Sequence, residues 1–347
     1  MIDLRSDTVT TPTPAMRDAM RDAAVGNAAW GEDPTVNALE AASAEAVGKE
    51  AAMFVVSGTM ANQLAVRTFA ARKLTPQIIL DRRSHLFQNE AGGLGAFAGV
   101  QTLALESDRG ALRPAEVAQA LEESGRLKAE TALVACENTH NHHGGRAVPV
   151  ENLAAVAKLA HEHGVPAYLD GARLFNAAVA LGVDARAIAQ PFDAVMFCFS
   201  KGLSAPMGSV LCGSAAFIAD ARRVRQSIGG ALRQAGVVAA PALLSLRTMR
   251  ARLAEDHARA GRLAKGLAGV EGVKLVYPAE TNIVVVDVAA LGGAAEVAAA
   301  LAKEGVRADV RNARELRLVT HREIGDLEVE AALAAFGRVA AAAQRAG

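Results

Sequence analysis

The sequence predicts an α/β protein: a mostly parallel central sheet flanked by helices, followed by a smaller α+β C-terminal domain. Three observations carry this reading. Short, continuously apolar runs ("AMFVVS", "QIILD", "ALVACE", "PAYLD", "AVMFCFS", "SVLCG") recur through the first two thirds of the chain. Stretches with helical spacing lie between them ("GTMANQLAVRTFAARKL", "PAEVAQALEE", "VENLAAVAKLAHEHG"). Strands that are apolar throughout, rather than alternating, belong to sheets covered on both faces, and helical crossovers make such sheets parallel. Third, the character shifts from about Leu243, where a charged helix leads into a different strand and helix pattern.

The elements follow in order. "AMFVVS" ends at Ser57-Gly58-Thr59, where a helix begins. "QIILD" runs into the loop "RRSHLFQNEAGG". The segment "GGLGAFAG" is a poor match to G-x-G-x-x-G and follows no clear strand, so it does not predict a dinucleotide site. The helix after Val150 stops at Gly164 with Pro166 just beyond. "PAYLD" and "AVMFCFS" complete the buried series and "SVLCG" returns to strand. The second layer is predicted as one long helix over "LLSLRTMRARLAEDHARAGRLAKGLAG", strands "VKLVYP" and "TNIVVVDV", a helix over "AAEVAAALAKEGV", a strand "LRLVTH" and a terminal helix from about Asp326. These changes divide the chain into an N-terminal segment at residues 1–14, a large domain at 15–243 and a small domain at 244–347.

Composition narrows the function. A 347-residue chain with 51% hydrophobic residues can bury a sizeable core. Lys+Arg and Asp+Glu balance at 37 each, which recommends neither a nucleic-acid nor an anionic membrane partner. No run of about 18 apolar residues marks a membrane span. "MIDLRSDTVTTPTPAM" lacks the basic and apolar regions of a signal peptide. Cys136, Cys198 and Cys212 lie far apart in apparent strands, which fits buried free thiols in a reducing cytosol. The expected location is cytoplasmic.

Five stretches are candidates for chemistry. "VVSGTMAN" places Ser57, Gly58 and Thr59 at a strand-to-helix turn, either as an ordinary N-cap or as a phosphate seat built from free N–H groups. Asp170 and Arg173 of "YLDGARLFNA" sit at a strand end, where open α/β sheets present ligand-binding residues, or else form a structural ion pair. Lys201 of "FCFSKGLSAPMGS" follows a buried strand and enters a loop of small residues. A narrow, partly desolvated pocket there would favour its neutral, nucleophilic form, and small residues would leave room for a ligand. His85 of "RRSHLFQNE" is placed to cap a helix, stack on a flat ring or move a proton. In "ENTHNHHGGR", His140, His142 and His143 read as a loop without fixed ligand spacing, so no metal site is expected. A phosphate seat, an aspartate and a lysine at successive strand ends are together what pyridoxal 5'-phosphate requires. The helix start binds the phosphate, the aspartate keeps the pyridine nitrogen protonated and the lysine holds the aldehyde.

The motifs "MIDLRSDTVT", "WGEDPTVNALE", "SGTMAN", "ENTHN", "LDGARLFNA", "FSKGLSAPMGSVL", "GGALRQAG" and "LRLVTH", in this order over nearly the whole chain, resemble the low-specificity L-threonine aldolases. The resemblance implies the fold-type I (aspartate-aminotransferase-like) architecture of pyridoxal-phosphate enzymes. It implies retro-aldol cleavage of L-threonine, L-allo-threonine and other L-β-hydroxy-α-amino acids to glycine and an aldehyde. It also implies residue roles. Lys201 would be the Schiff-base lysine, Asp170 the partner of the pyridine nitrogen and Arg173 a neighbour of the ring hydroxyl. His85 would stack on the ring and handle protons. Gly58 and Thr59 would hold the phosphate, helped by Arg233 from a neighbouring subunit, and Ser6 and Arg317 would hold the substrate carboxylate. A homotetramer, a dimer of dimers with active sites shared across a dimer interface, would complete the picture.

Three departures stand against the family pattern. Leu127 falls where the family carries a loop histidine that contacts the β-hydroxyl, leaving His142 and His143 as stand-ins. Trp30 of "AAWGEDPT" stands where the family commonly has "VYGEDPT", and Gln226 and Ser227 stand where a lysine is common. Another enzyme of the same fold, a β-eliminating lyase or an aminotransferase, is the alternative reading.

Overall fold

The computed structural model describes residues 1–125 and 127–346. Seven strands form the main sheet: β1 (Ala51–Val55), β2 (Pro76–Asp81), β3 (Gln101–Leu105), β4 (Glu130–Glu137), β5 (Ala167–Asp170), β6 (Ala194–Cys198) and β7 (Ser209–Gly213). Their spatial order is β1-β7-β6-β5-β4-β2-β3. All run the same way except β7, which is antiparallel to both β1 and β6. The continuous apolar runs have their cause here. Along β6, Val195 and Phe197 face one hydrophobic cluster while Ala194, Met196 and Cys198 face another. A strand covered on both sides needs an apolar residue at every position.

The edge strand β3 is absent from the sequence-based assignment. It pairs in register with β2, Gln77 opposite Gln101, but lies only half buried. Its mixed pattern "QTLAL" therefore lacks the uninterrupted apolar signal of its neighbours. The helices match more closely. Ser57 is extended and its hydroxyl accepts the Met60 N–H, which starts helix Gly58–Ala70. Asp33 caps helix Pro34–Val47 by accepting from Thr35 and Val36, and left-handed Gly48 ends it.

The second sheet contains β8 (Lys274–Leu275), β9 (Ile283–Asp287), β10 (Asp309–Val310) and β11 (Glu315–Val319), in the order β8-β9-β11-β10 and antiparallel throughout. Its core joins Val284, Val286, Leu316 and Leu318 to Leu263 and Phe336 of the covering helices. The expected single helix over residues 243–269 is two, Gly236–Thr248 and Leu253–Leu267. The first packs on helices Pro14–Arg21 and Pro34–Val47, the second on helices Leu174–Leu181 and Asp326–Ala346. Two sets of partners in different directions override a continuous helical pattern.

The N-terminal segment belongs spatially to the second sheet. Ile2–Asp3 pairs in parallel with Val306–Arg307, Leu4 is fully buried in that core, and the Leu4 carbonyl accepts the Val319 N–H at 2.8 Å. Past Leu4 the chain turns towards the carboxyl ends of the main sheet.

Candidate active site

Every candidate residue of the main sheet sits at or just past the carboxyl end of a strand. Glu137 and Asp170 are register partners across β4 and β5, and Asp170 pairs with Met196 across β5 and β6. Lys201 follows β6, His85 follows β2, and Gly58 opens the helix after β1. This is the end of an α/β sheet where ligands bind.

The N–H groups of Gly58 and Thr59 lie in the first turn of helix Gly58–Ala70, where no helical carbonyl can reach them. Glycine at position 58 has a packing cause beyond close approach to an anion. A Cβ there would lie 2.8 Å from Met196 Cε and 2.9 Å from Cys198 Sγ. The helix start is thus pressed directly onto β6, beside the lysine loop.

Asp170 is buried, and both its oxygens have fixed partners. Oδ1 accepts the Ala172 N–H at 3.0 Å, and Oδ2 accepts Asn62 Nδ2 at 2.8 Å. Asn62 is held in turn by the Tyr168 hydroxyl, which donates to its Oδ1 at 2.7 Å, and by Glu90, whose Oε1 accepts from Asn62 Nδ2 at 2.7 Å. The same Glu90 oxygen lies 3.0 Å from His85 Nδ1. A carboxylate only accepts, so Nδ1 carries the proton and Nε2 is the ring's unused nitrogen. Burial lowers the proton affinity of His85, but the Glu90 hydrogen bond and the charges of Asp170 and Glu137 outweigh it, and the net shift is upward.

Glu137 is buried beneath His85. One oxygen accepts the His85 N–H at 2.6 Å and the other the Asn141 N–H at 2.8 Å. Burial and the neighbouring Asp170 carboxylate push its proton affinity up to about 7.

Lys201 is half buried. Its loop is closed by hydrogen bonds from Ser204 N–H to the Lys201 carbonyl at 2.8 Å and from Ala205 N–H to the Phe199 carbonyl at 3.0 Å. Ser204 is held at positive φ with its hydroxyl buried, the kind of backbone strain that clusters at functional turns. Two of the small residues here are also required by packing. A Cβ at Gly202 would come within 2.8 Å of Leu253 Cδ2, and one at Gly208 within 2.4 Å of Phe54 Cε2. The protein's own side chains fill that room and hold the loop in place.

Arg173 is engaged by a residue that sequence reasoning missed. Its Nε and Nη2 each donate to Asp7 at 2.7 Å, with both residues buried. Asn282 also donates to Asp7, at 3.2 Å. Burial raises the carboxyl's proton affinity, but Arg173 and Lys201 more than reverse this and hold Asp7 well below the usual range.

Arg317 lies on β11 and faces the main sheet. It donates to Asn141 Oδ1 at 2.8 Å and to the Arg5 carbonyl at 3.2 Å, beside Ser6, and pairs with Asp309 at 3.1 Å. Burial and nearby Arg173 both lower its proton affinity, a strain on the cation that an arriving carboxylate relieves. Ser6 accepts from the Thr8 N–H and hydroxyl, so its own proton is unclaimed by those contacts. Arg317, Asn141, His142, Arg311 and Arg83 all line a cleft of about 940 Å³, in which Arg311 donates to the His142 carbonyl at 2.9 Å.

Other expected residues fall elsewhere. Arg233 is exposed, and among the described residues only its backbone carbonyl is bonded, by the N–H groups of Ala28 and Ala235. Leu127 is 94% exposed ahead of Glu130, at the opposite end of β4 from Glu137. Seven rises of about 3.3 Å separate those ends, so that loop is remote from its own chain's site. Neither stand-in histidine is free. His142 Nε2 meets Asn89 Oδ1 and its Nδ1 faces Arg311 Nη2 at 3.3 Å, while His143 is buried against Asp81. Trp30, Gln226 and Ser227 are exposed.

Comparison with known proteins bears on the family and the fold. The family described as Beta-eliminating lyase matches residues 3–291. A probable low-specificity L-threonine aldolase of Arabidopsis thaliana is 40% identical, covering 97% of each chain. A low specificity L-threonine aldolase of Escherichia coli K12 is 39% identical over 93% of this chain and 95% of its own. The solved threonine aldolase of Leishmania major superposes with a TM-score of 0.81 at 20% identity, covering 100% of this chain and 99% of that one. The chain belongs to the beta-eliminating lyase family, in its low-specificity L-threonine aldolase branch.

Proposed function

We propose that the protein cleaves L-threonine, L-allo-threonine and other L-β-hydroxy-α-amino acids to glycine and an aldehyde, with pyridoxal phosphate as cofactor. One observation carries the reading. Lys201, the buried carboxylate of Asp170 and the open helix start at Gly58-Thr59 share one edge of the sheet, with Arg317 facing them from the second layer.

The donor set fits the cofactor. Asp170 is a buried carboxylate whose position is fixed from both sides, suited to a cationic ring nitrogen. The helix start offers N–H groups to a phosphate, and Lys201 supplies the amine for the aldehyde. When bound, the cofactor supplies an electron sink for the bond broken at Cα. The protein's residues decide which bond that is. Arg317 binds the substrate carboxylate with its planar fork, assisted by the Ser6 hydroxyl. This clamp turns the Cα–Cβ bond into the reactive orientation. The proton of the β-hydroxyl goes to His85 Nε2, because Glu90 holds the proton of Nδ1. Its raised proton affinity suits it to accept that proton near neutral pH.

A homotetramer with shared active sites agrees with two features. Arg233 is exposed, and Leu127 sits at the far end of β4, so each would serve a site only in another subunit. The cytoplasm is the proposed compartment, consistent with three buried free cysteines. Among the described residues no helix is long and apolar enough to cross a membrane.

The test is product analysis with L-threonine, L-allo-threonine and their D enantiomers. Glycine and acetaldehyde are expected from the L forms alone. Formation of 2-oxobutanoate and ammonia would show β-elimination in place of retro-aldol cleavage, and D-threonine cleavage would contradict the inferred stereochemistry.

A further inference from the structure

Behind the active site lies a second cluster that the aldol chemistry does not use. Asp81 ends β2, and His140 and His143 flank the turn after β4. All three are buried, His140 completely. Asp81 Oδ2 lies 3.5 Å from His143 Nε2 and 3.7 Å from His140 Nε2, and the two rings stand 4.5 Å apart. The Ser107 hydroxyl donates to the same Asp81 oxygen and lies 3.5 Å from His143 Nε2.

Two observations bear on what this cluster could bind. Among the described residues, both ring nitrogens of His140 and Nδ1 of His143 have no hydrogen-bond partner. A buried polar atom left so is destabilising, and of these His140 Nε2 is the one turned towards Asp81. The spacing is also informative. Separations of 3.5–3.7 Å are too long for good hydrogen bonds. They are close to the edge of a tetrahedron of nitrogen and oxygen ligands, about 3.3–3.5 Å for metal–ligand bonds near 2.0–2.1 Å. The wall is closely built: a Cβ at Gly110 would strike the His140 ring at 2.7 Å, and the Gly110 N–H bonds Ser107 Oγ.

We propose that Asp81, His140 and His143 bind a divalent transition-metal ion of the zinc type, with the Ser107 hydroxyl beside the fourth position. Two imidazoles and one carboxylate suit such an ion, whereas magnesium and calcium favour sets of oxygen atoms alone. The run of histidines gave no such signal in sequence because its essential carboxylate comes from another strand, far away along the chain. The ion would brace the active site rather than react. His140 Nε2 lies 4.0 Å from the Glu137 oxygen that accepts the His85 N–H, so the ion's ligands share a turn with the residues presenting His85.

The experiment uses the purified full chain loaded with cofactor, stripped with chelator and dialysed against Co²⁺ or Zn²⁺. Metal content is measured by elemental analysis, the Co²⁺ d–d absorption by visible spectroscopy, and unfolding temperature with and without Zn²⁺. One ion per chain is expected, with a Zn²⁺-dependent rise in unfolding temperature. His143→Ala and Ser107→Ala test the site. The first is expected to weaken Co²⁺ binding by more than about tenfold, and the second to change the d–d spectrum. His142→Ala, which removes the adjacent histidine, is expected to retain the ion. Failure of the unsubstituted protein to bind either ion, or binding unchanged in His143→Ala, overturns the proposal. So does loss of the ion in His142→Ala alone.

Discussion

Replacing Asp7 by Asn isolates the buried ion pair that anchors the N-terminal segment to the site. The pair is bidentate, 2.7 Å at both contacts, with Asp7 at 0% exposure and Arg173 at 6%. Asparagine keeps the shape and one acceptor oxygen but removes the charge. Charges about 4 Å apart attract by about 4 kcal/mol at an effective dielectric of about 20. Breaking a buried pair from one side costs about 3–5 kcal/mol, since the remaining charge stays buried and uncompensated. The retained hydrogen bond places Asp7→Asn near 3 kcal/mol, an unfolding-temperature loss of about 6–12 °C at about 2–4 °C per kcal/mol. Thermal and urea unfolding of the cofactor-loaded enzyme measure it. The sign with pH is fixed by the depressed carboxyl. Its contribution is complete above the ordinary value of 3.8 and fades as pH falls below that value, so the deficit of the variant persists through neutral pH. Adding Arg173→Met removes the orphaned charge and is expected to restore part of the loss. A single variant within about 1 kcal/mol of the parent, or a double variant less stable than the single, would refute the reasoning.

Three further outcomes follow from the same structure. Gly58→Ala sets a methyl group 2.8–2.9 Å from Met196 and Cys198; overpacking of this kind costs about 1–3 kcal/mol, and weaker retention of pyridoxal phosphate on dilution is expected beside it. Glu137 holds its proton up to about 7 in the folded state against an ordinary 4.5. Its contribution is therefore complete below pH 4.5 and lost as pH rises through about 7, by about 3 kcal/mol in all. Urea unfolding between about pH 5 and pH 8 is expected to show that decline in the parent and a flatter profile in Glu137→Gln. Arg317→Ala loses its charge-assisted contacts to the substrate carboxylate, worth about 1.5–3 kcal/mol each, so kcat/KM for L-threonine is expected to fall at least about 100-fold; unchanged efficiency would remove Arg317 from the clamp.

Much of the architecture was legible because burial writes itself plainly into a parallel sheet. The strands carrying Glu137, Asp170 and Lys201 are covered on both faces, and their uninterrupted apolar runs announce it. The half-buried edge strand Gln101–Leu105 sends no such signal. Nor does the break after Thr248, which is imposed by helices packing in two directions. Gly58, Asp170 and Lys201 stand out as candidates in the sequence because each lies at or just past a recognisable strand end. Their supports do not. Asp7, Asn62, Glu90, Asn141 and Asn282 act across separations that no local spacing rule detects; Asn282 reaches Asp7 across 275 positions. The glycines beside Lys201 illustrate a subtler gap: their smallness was visible, but only the packing shows that Leu253 and Phe54 need the space.

The placement of Ile2–Asp7 has a consequence for how the protein comes into being. That segment leaves the ribosome long before its partners do: Val306–Arg307 align it and Val319 fixes Leu4. The main sheet can be complete after Gly213, with Arg173 already enclosed, before anything holds Asp7 against it. Non-local closure of this kind is slow and comes late. A nascent chain can therefore possess every strand of its larger half and still lack a finished catalytic pocket, because the pocket is sealed only when segments far apart in the sequence, Ile2–Asp7 and Val306–Val319, come together.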